Sequence, residues 1–272
     1  MKTKRLSALI TTNCNLHCPH CEIRTRPDGY NREKFLEELN SFEGTVNLFG
    51  GEPSLYEDRL FDIVENNTAK NIHTISTNLV ILNDRLIEFY KTLRGIASSW
   101  NPNRFSEEQY QSWLNNLNTF EKNKLKTAVL VTLTNDLFEL GVDKFIEVTK
   151  AWNPNAIHYI RFEHYIGDGT TKEYYDKADD FLCEFYKKWD FSIPLQNAKA
   201  LDYGYCYECG EIYNLSPNGV LSRGCPHGYN AKVPTECYSC EMVANCKPCR
   251  LQPLCSYPHK FAKLVKESKD DS

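Results

Sequence analysis

Three cysteines within eight residues, Cys14, Cys18 and Cys21, constrain this chain more than any other stretch. Three residues separate the first pair and two the second, so three thiolates can converge on one metal centre from a single loop. Thiolate is a soft ligand that selects zinc or an iron–sulfur cluster. A closed zinc site and a closed cubane each need four ligands, and the loop offers three sulfurs. His17 or His20 would complete a structural zinc site. The alternative is a cubane whose fourth iron stays open to a small molecule.

The other cysteines fit metal binding better than disulfides. Of 12 in 272 residues, Cys183 stands alone and eight fall between Cys206 and Cys255. A disulfide scaffold would spread them through the fold, whereas in a reducing compartment such clusters are metal ligands. No apolar run is long enough to span a bilayer. The basic start, Met1 to Arg5, lacks the apolar region and cleavage site of a signal peptide, so a cytoplasmic location is the expectation. A net charge of −4 with no concentrated basic tract argues against nucleic acid as the main partner.

The chain between these clusters alternates short β-prone runs with helical ones. Strands are expected at 6–12, 45–49, 72–77, 95–99, 125–134 and 157–163, and helices at 31–41, 56–66, 84–93, 106–117, 142–151 and 174–189. Asn83 and Ser106 read as helix N-caps, and Gly44 as the end of the first helix. Six βα units predict an α/β fold with a parallel sheet, too short for a closed eight-stranded barrel. A partial barrel with chemistry at the C-terminal strand edges is expected. From about Pro194 the composition shifts to Cys, Gly, Pro and Tyr. The expected domains are therefore a partial barrel over 1–193, a Cys-rich domain over 194–262 and a charged tail over 263–272.

The second strand runs into Gly50-Gly51-Glu52-Pro53, where glycines would permit positive φ and close ligand approach. Cys14-x-x-x-Cys18-x-x-Cys21 followed about thirty residues later by this tetrapeptide resembles the radical S-adenosylmethionine (SAM) enzymes. The resemblance implies a 4Fe-4S cluster on Cys14, Cys18 and Cys21 whose open iron is chelated by SAM. Reductive cleavage of SAM then gives methionine and a 5′-deoxyadenosyl radical that abstracts a substrate hydrogen. It also implies that Gly50, Gly51, Glu52 and Pro53 hold the SAM amino group. His20 would lie near the adenine, Ser76 and Asn78 at the end of the third strand, Ser98 at the ribose or carboxylate, and Thr132 facing the adenosine. Arg161 is a candidate partner of the SAM carboxylate or of Glu163. Cys183 reads as a buried small hydrophobe. No general base is assigned, Glu163, His164 and Asp168 being read as residues of a solvated loop.

The C-terminal segment supplies Cys206, Cys209, Cys225, Cys237, Cys240, Cys246, Cys249 and Cys255. Paired Cys-x-x-Cys units also build zinc ribbons. With Ser216-Pro217-Asn218-Gly219 before Cys225, however, the segment resembles the SPASM extension of radical SAM enzymes. That implies two auxiliary 4Fe-4S clusters, one on Cys206, Cys209, Cys225 and Cys249 and the other on Cys237, Cys240, Cys246 and Cys255. Cys246 and Cys249 stand one residue closer than in the family pattern, which leaves the ligand partition open. The expected activity is oxidation or crosslinking of a peptide or protein, fed by a flavodoxin- or ferredoxin-type electron donor. Against a peptide, the first strand begins within a few residues of Met1, with no room expected for a leader-binding domain. The alternatives are dehydrogenation or epimerisation of a sugar or cyclitol, and a non-catalytic zinc or iron–sulfur module.

Overall fold

The computed structural model describes residues 4–21, 23, 27–164, 172–195 and 212–223. In chain order its elements are β1 (Arg5–Thr11), α1 (Arg32–Ser41), β2 (Thr45–Gly50), α2 (Glu57–Glu65), β3 (Ile72–Ser76), α3 (Asp84–Lys91) and β4 (Gly95–Trp100). There follow α4 (Glu107–Lys122), β5 (Thr127–Leu133), α5 (Asn135–Leu140), α6 (Val142–Thr149), β6 (Ile157–His164), α7 (Lys172–Lys188), β7 (Ile212–Leu215) and β8 (Leu221–Arg223). The fold is α/β with parallel strands, as the alternation predicts. Two compact units divide the described residues, 4–98 with 212–223 and 99–164 with 172–195.

In the first unit the strand order is β4-β3-β2-β1-β7-β8, with every pair parallel except β7–β8. Strand alternation sorts the residues into two faces. Val46, Leu48, Ile75 and Ile96 are buried on one face, whereas Asn47, Thr74 and Ser76 on the other remain half-buried and polar. Core stripes come from Phe35 and Leu39 on α1, Leu60 and Ile63 on α2, and Leu86 and Tyr90 on α3. Local chemistry starts the helices: Asn31 and Asn83 each accept a main-chain N–H in the following turn, at 3.2 and 2.9 Å.

One local expectation needs correction. Gly44 does not cap α1, whose C-cap is Phe42. A Cβ on Gly44 would stand 2.4 Å from the Lys4 carbonyl oxygen, so the position is set by close approach to the chain entering β1. The end of α1 is instead served by Asn71, whose buried amide donates to the carbonyls of Leu39 and Phe42, each at 3.0 Å. Ser216 to Gly219 form a hairpin turn, with Gly219 at φ 79°. The hairpin lies against the first unit: β7 pairs with β1, and the Pro217 carbonyl accepts the Asn31 N–H at 2.9 Å.

In the second unit β5 and β6 pair in parallel, and aromatic rings fill the core. Trp113 and Trp152 meet edge-on at 5.5 Å, Trp100 and Phe145 lie 5.4 Å apart, and Phe185 stacks on Trp189 at 5.0 Å. Ser106 forms a reciprocal capping box with Gln109 at the start of α4, and the helix runs on to Lys122, past the expected end. Helix α5 was not expected. Thr134, read as the last strand residue, is its N-cap and accepts the Leu137 N–H at 3.3 Å. Gly141, at φ 78°, separates α5 from α6.

Candidate metal and ligand site

The two motif stretches form one crossing at the ends of β1 and β2. A register shift between Leu9 and Thr11 interrupts the β1–β2 ladder, and beyond it the chain passes closely over Gly50 and Gly51. The Gly51 N–H donates to the Thr11 carbonyl at 2.8 Å, and the Glu52 N–H to the Asn13 carbonyl at 2.7 Å. A Cβ on Gly50 would stand 2.5 Å from the Thr11 oxygen, and one on Gly51 2.1 Å from the Asn13 oxygen. Neither glycine adopts positive φ. The expected reason for the pair is therefore replaced by another: the cysteine loop leaves no room there for a side chain.

Cys14, Cys18 and Cys21 are reduced thiols. Cys18 is buried and the others half-buried. A tight turn joins the last two, with the Cys21 N–H donating to the Cys18 carbonyl at 3.1 Å. The Leu16 N–H points at Cys14 Sγ at 3.3 Å, and Asn78 Nδ2 stands 3.8 Å from the same sulfur. Such donors favour a charged thiolate, so the chemistry of the donor set fits a soft metal centre. Among the described residues no group of three or more His, Cys, Asp and Glu side chains stands in metal-holding geometry.

Glu52 is fully buried at the foot of this loop. Its Oε1 accepts the Ser54 N–H at 3.0 Å, the Ser54 hydroxyl at 2.7 Å and the Thr77 hydroxyl at 2.8 Å. Its Oε2 accepts the Asn78 N–H at 2.5 Å. The carboxylate thereby joins the end of β2 to the end of β3. Pro53, buried at the first position of the short turn that follows, supplies a fixed φ and removes a donor that would have no partner. Burial, reinforced by the charge of Glu52, pushes the Tyr90 phenol well above the ordinary tyrosine range. Tyr90 stays neutral in the core beside the carboxylate.

A second network, not anticipated from the sequence, ties down the return of the loop. Asp28 Oδ2 accepts the Thr11 hydroxyl at 2.8 Å, and Asp28 Oδ1 pairs with Arg59 Nη1 at 2.7 Å. The same Arg59 nitrogen donates to the Ile10 carbonyl at 2.8 Å, at the interruption in the ladder. The guanidinium lies over the rings of Tyr30 and Tyr56, at 4.1 and 4.9 Å, and Asn13 Nδ2 donates to the Tyr56 hydroxyl at 2.6 Å. Arg59 on α2 thus holds both ends of the segment that carries the cysteines. No short motif signals this arrangement, because its members come from three separate stretches.

The remaining expected site residues fall as follows. His20 is half-buried within the loop, and Ser76 shares a polar row with Asn47 and Thr74 on the open face. Asn78 is 2 % exposed and reaches the loop directly, donating to Asn15 Oδ1 at 2.6 Å. Ser98 alternates with Ile96 and Trp100 on the buried side of β4, so Ser99 is the strand-end serine on the opposite side. In the second unit, Asn101 brackets the Thr132 main chain, accepting from its N–H at 3.1 Å and donating to its carbonyl at 2.6 Å. Arg161 pairs with Glu163 at 3.3 Å. Cys183 is half-buried on α7, not enclosed in the core. Asp168 and the eight cysteines from Cys206 to Cys255 lie outside the described residues.

No protein-family model matches this chain, and no curated protein matches it in sequence. Its fold is similar to solved structures of SuiB from Streptococcus suis. The structure of SuiB is 15% identical with a TM-score of 0.56, over 97% of this chain and 72% of that one. SuiB bound to its precursor peptide SuiA is 15% identical with a TM-score of 0.55, over 97% of this chain and 70% of that one. SuiB bound to S-adenosylmethionine is 15% identical with a TM-score of 0.54, over 99% and 75%. At this identity the likeness establishes the fold. Among the described residues no helix is long and apolar enough to cross a membrane.

Proposed function

We propose that the chain is a radical SAM enzyme that modifies a peptide. The observation that carries this reading is the crossing of Thr11 to Asn13 over Gly50 and Gly51, which makes the thiol loop and the glycine pair one structural unit. Cys14, Cys18 and Cys21 are the residues that would hold a 4Fe-4S cluster. When bound, such a cluster supplies one electron for cleaving SAM, and so the radical that removes a substrate hydrogen. The chain's own part is positional. Arg59 and Asp28 close the loop, Glu52 locks the β2 and β3 ends beneath it, and Gly50 with Gly51 lets backbone groups lie close to the loop.

The main-chain groups of Gly50, Gly51 and Pro53 are our proposed contacts for the SAM amino acid end, with His20 and Ser76 proposed around the remainder. The fold likeness to a protein solved with S-adenosylmethionine and with a precursor peptide supports SAM as cosubstrate and a peptide as substrate. The eight cysteines from Cys206 to Cys255 suffice for two further clusters, which suit removal of a second electron from the substrate. The domain boundary near Pro194 stays part of the same proposal. The test is isotopic. A candidate precursor peptide deuterated at one residue type should pass deuterium into 5′-deoxyadenosine under reductant. Transfer from a deuterated sugar or cyclitol, with none from peptides, would reassign the substrate.

A further inference from the structure

The buried carboxylate of Glu52 has little capacity left for a ligand. Four donors converge on it, three on Oε1 and the Asn78 N–H on Oε2, and it is 0% exposed. Its bond to the Asn78 N–H leads back to the thiol loop. The Asn78 side chain is oriented without ambiguity: its Oδ1 accepts the Val80 N–H at 2.9 Å, so the Nδ2 end must face Asn15 and Cys14. Leu79, between them, is buried at φ 59°. That left-handed geometry is disfavoured for a non-glycine residue, so surrounding bonds must hold it. The Thr77 hydroxyl does so by accepting the Leu79 N–H at 3.1 Å while donating to Glu52.

We propose that Glu52 acts on the metal site through Asn78, and that Asn78 is a positioning residue whose amide N–H tunes the reducibility of a cluster held by Cys14. This rests on the radical SAM reading above. Hydrogen bonds to cluster cysteines withdraw charge from sulfur and stabilise the more negative, reduced state. Asn78 is 2 % exposed, so water does not readily take the place of its amide when it is lost. Cys14 receives two such donors, the Leu16 N–H and the Asn78 amide. Glu52 sets the second by fixing the Asn78 main chain, and Thr77 braces the turn. On this account the glutamate after the glycine pair shapes the electron-transfer site, and contact with SAM falls to the exposed backbone beside it.

The test is a redox titration of the anaerobically reconstituted full chain, followed by electron paramagnetic resonance on the signal that responds to added SAM. Asn78→Leu removes the donor without adding charge, and Asn78→Asp removes it at constant shape. Both should lower the reduced-to-oxidised ratio at a fixed potential by about tenfold, equivalent to about 59 mV for one electron. Iron content and SAM affinity should stay within about twofold. Glu52→Gln should shift the ratio in the same direction, and if it does not fold the Asn78 pair decides alone. Unshifted midpoints in both Asn78 variants, or loss of SAM binding at an unchanged midpoint, would overturn the inference. A wild-type chain that takes up no reducible cluster would instead overturn the reading of the site on which it rests.

Discussion

A Cβ on Gly51 would stand 2.1 Å from the carbonyl oxygen of Asn13, well inside van der Waals contact. The opposing atom is backbone, so no side-chain rotation relieves the clash. Gly51→Ala should therefore displace the start of the cysteine loop at a cost of about 1–3 kcal/mol, as for overpacking generally. Iron taken up on anaerobic reconstitution should fall while the far-ultraviolet circular dichroism of the fold is kept. Full iron occupancy in this variant would show that the crossing does not position the thiols.

Arg59 joins Asp28, the Ile10 carbonyl and two tyrosine rings at once. Lysine keeps the charge but loses the planar stacking and the fixed fork. Both Arg59→Lys and Asp28→Asn should lower stability by about 1–3 kcal/mol and accelerate loss of iron to a chelator. Chelation rates equal to wild type would remove the clamp from the account.

Trp113 is fully buried among Trp152, Tyr110 and Phe105 in the second unit. Trp113→Ala should cost about 3–5 kcal/mol through lost burial and the cavity left behind, read by denaturant unfolding. A loss below about 1 kcal/mol would mean that the ring cluster collapses around the gap.

The Arg32 guanidinium grips both oxygens of Asp62 at 2.7 Å, and this bond holds the Asp62 carboxyl below its ordinary range. A carboxyl lowered by folding stabilises the fold above its unfolded value near 3.8 and loses that contribution as pH falls through its folded value. The pair is substantially solvent-exposed, so the effect is small. Wild type should melt slightly above Asp62→Asn at neutral pH, and the two should converge as pH falls through the lowered folded value of Asp62. A gap that widens with acid would reverse the assigned sign.

What was legible in the sequence is what local chemistry controls. Asn83 and Ser106 announce their helices because a cap needs only its own turn. The βα alternation follows from hydrophobic period and predicts the parallel sheet. Thr134 was misread because a β-branched residue suits both a strand end and an N-cap, and the Asn135-Asp136 pair after it was the signal for α5. Period-2 alternation from Ile96 to Trp100 turns Ser98 to the buried side of β4. The Asp28–Arg59 clamp and the pairing of β7 with β1 join residues far apart in the chain, and no composition or spacing encodes such contacts. The glycine pair was found by its motif, but its physical cause, the loop crossing, appears only in three dimensions.

The most direct test is SAM cleavage by the anaerobically reconstituted full chain under dithionite, with iron and zinc counted in the same sample. The account predicts 5′-deoxyadenosine and methionine in equal amounts, and their loss when Cys14, Cys18 and Cys21 are replaced by alanine. Intact SAM in a protein that carries stoichiometric zinc and no iron would contradict it.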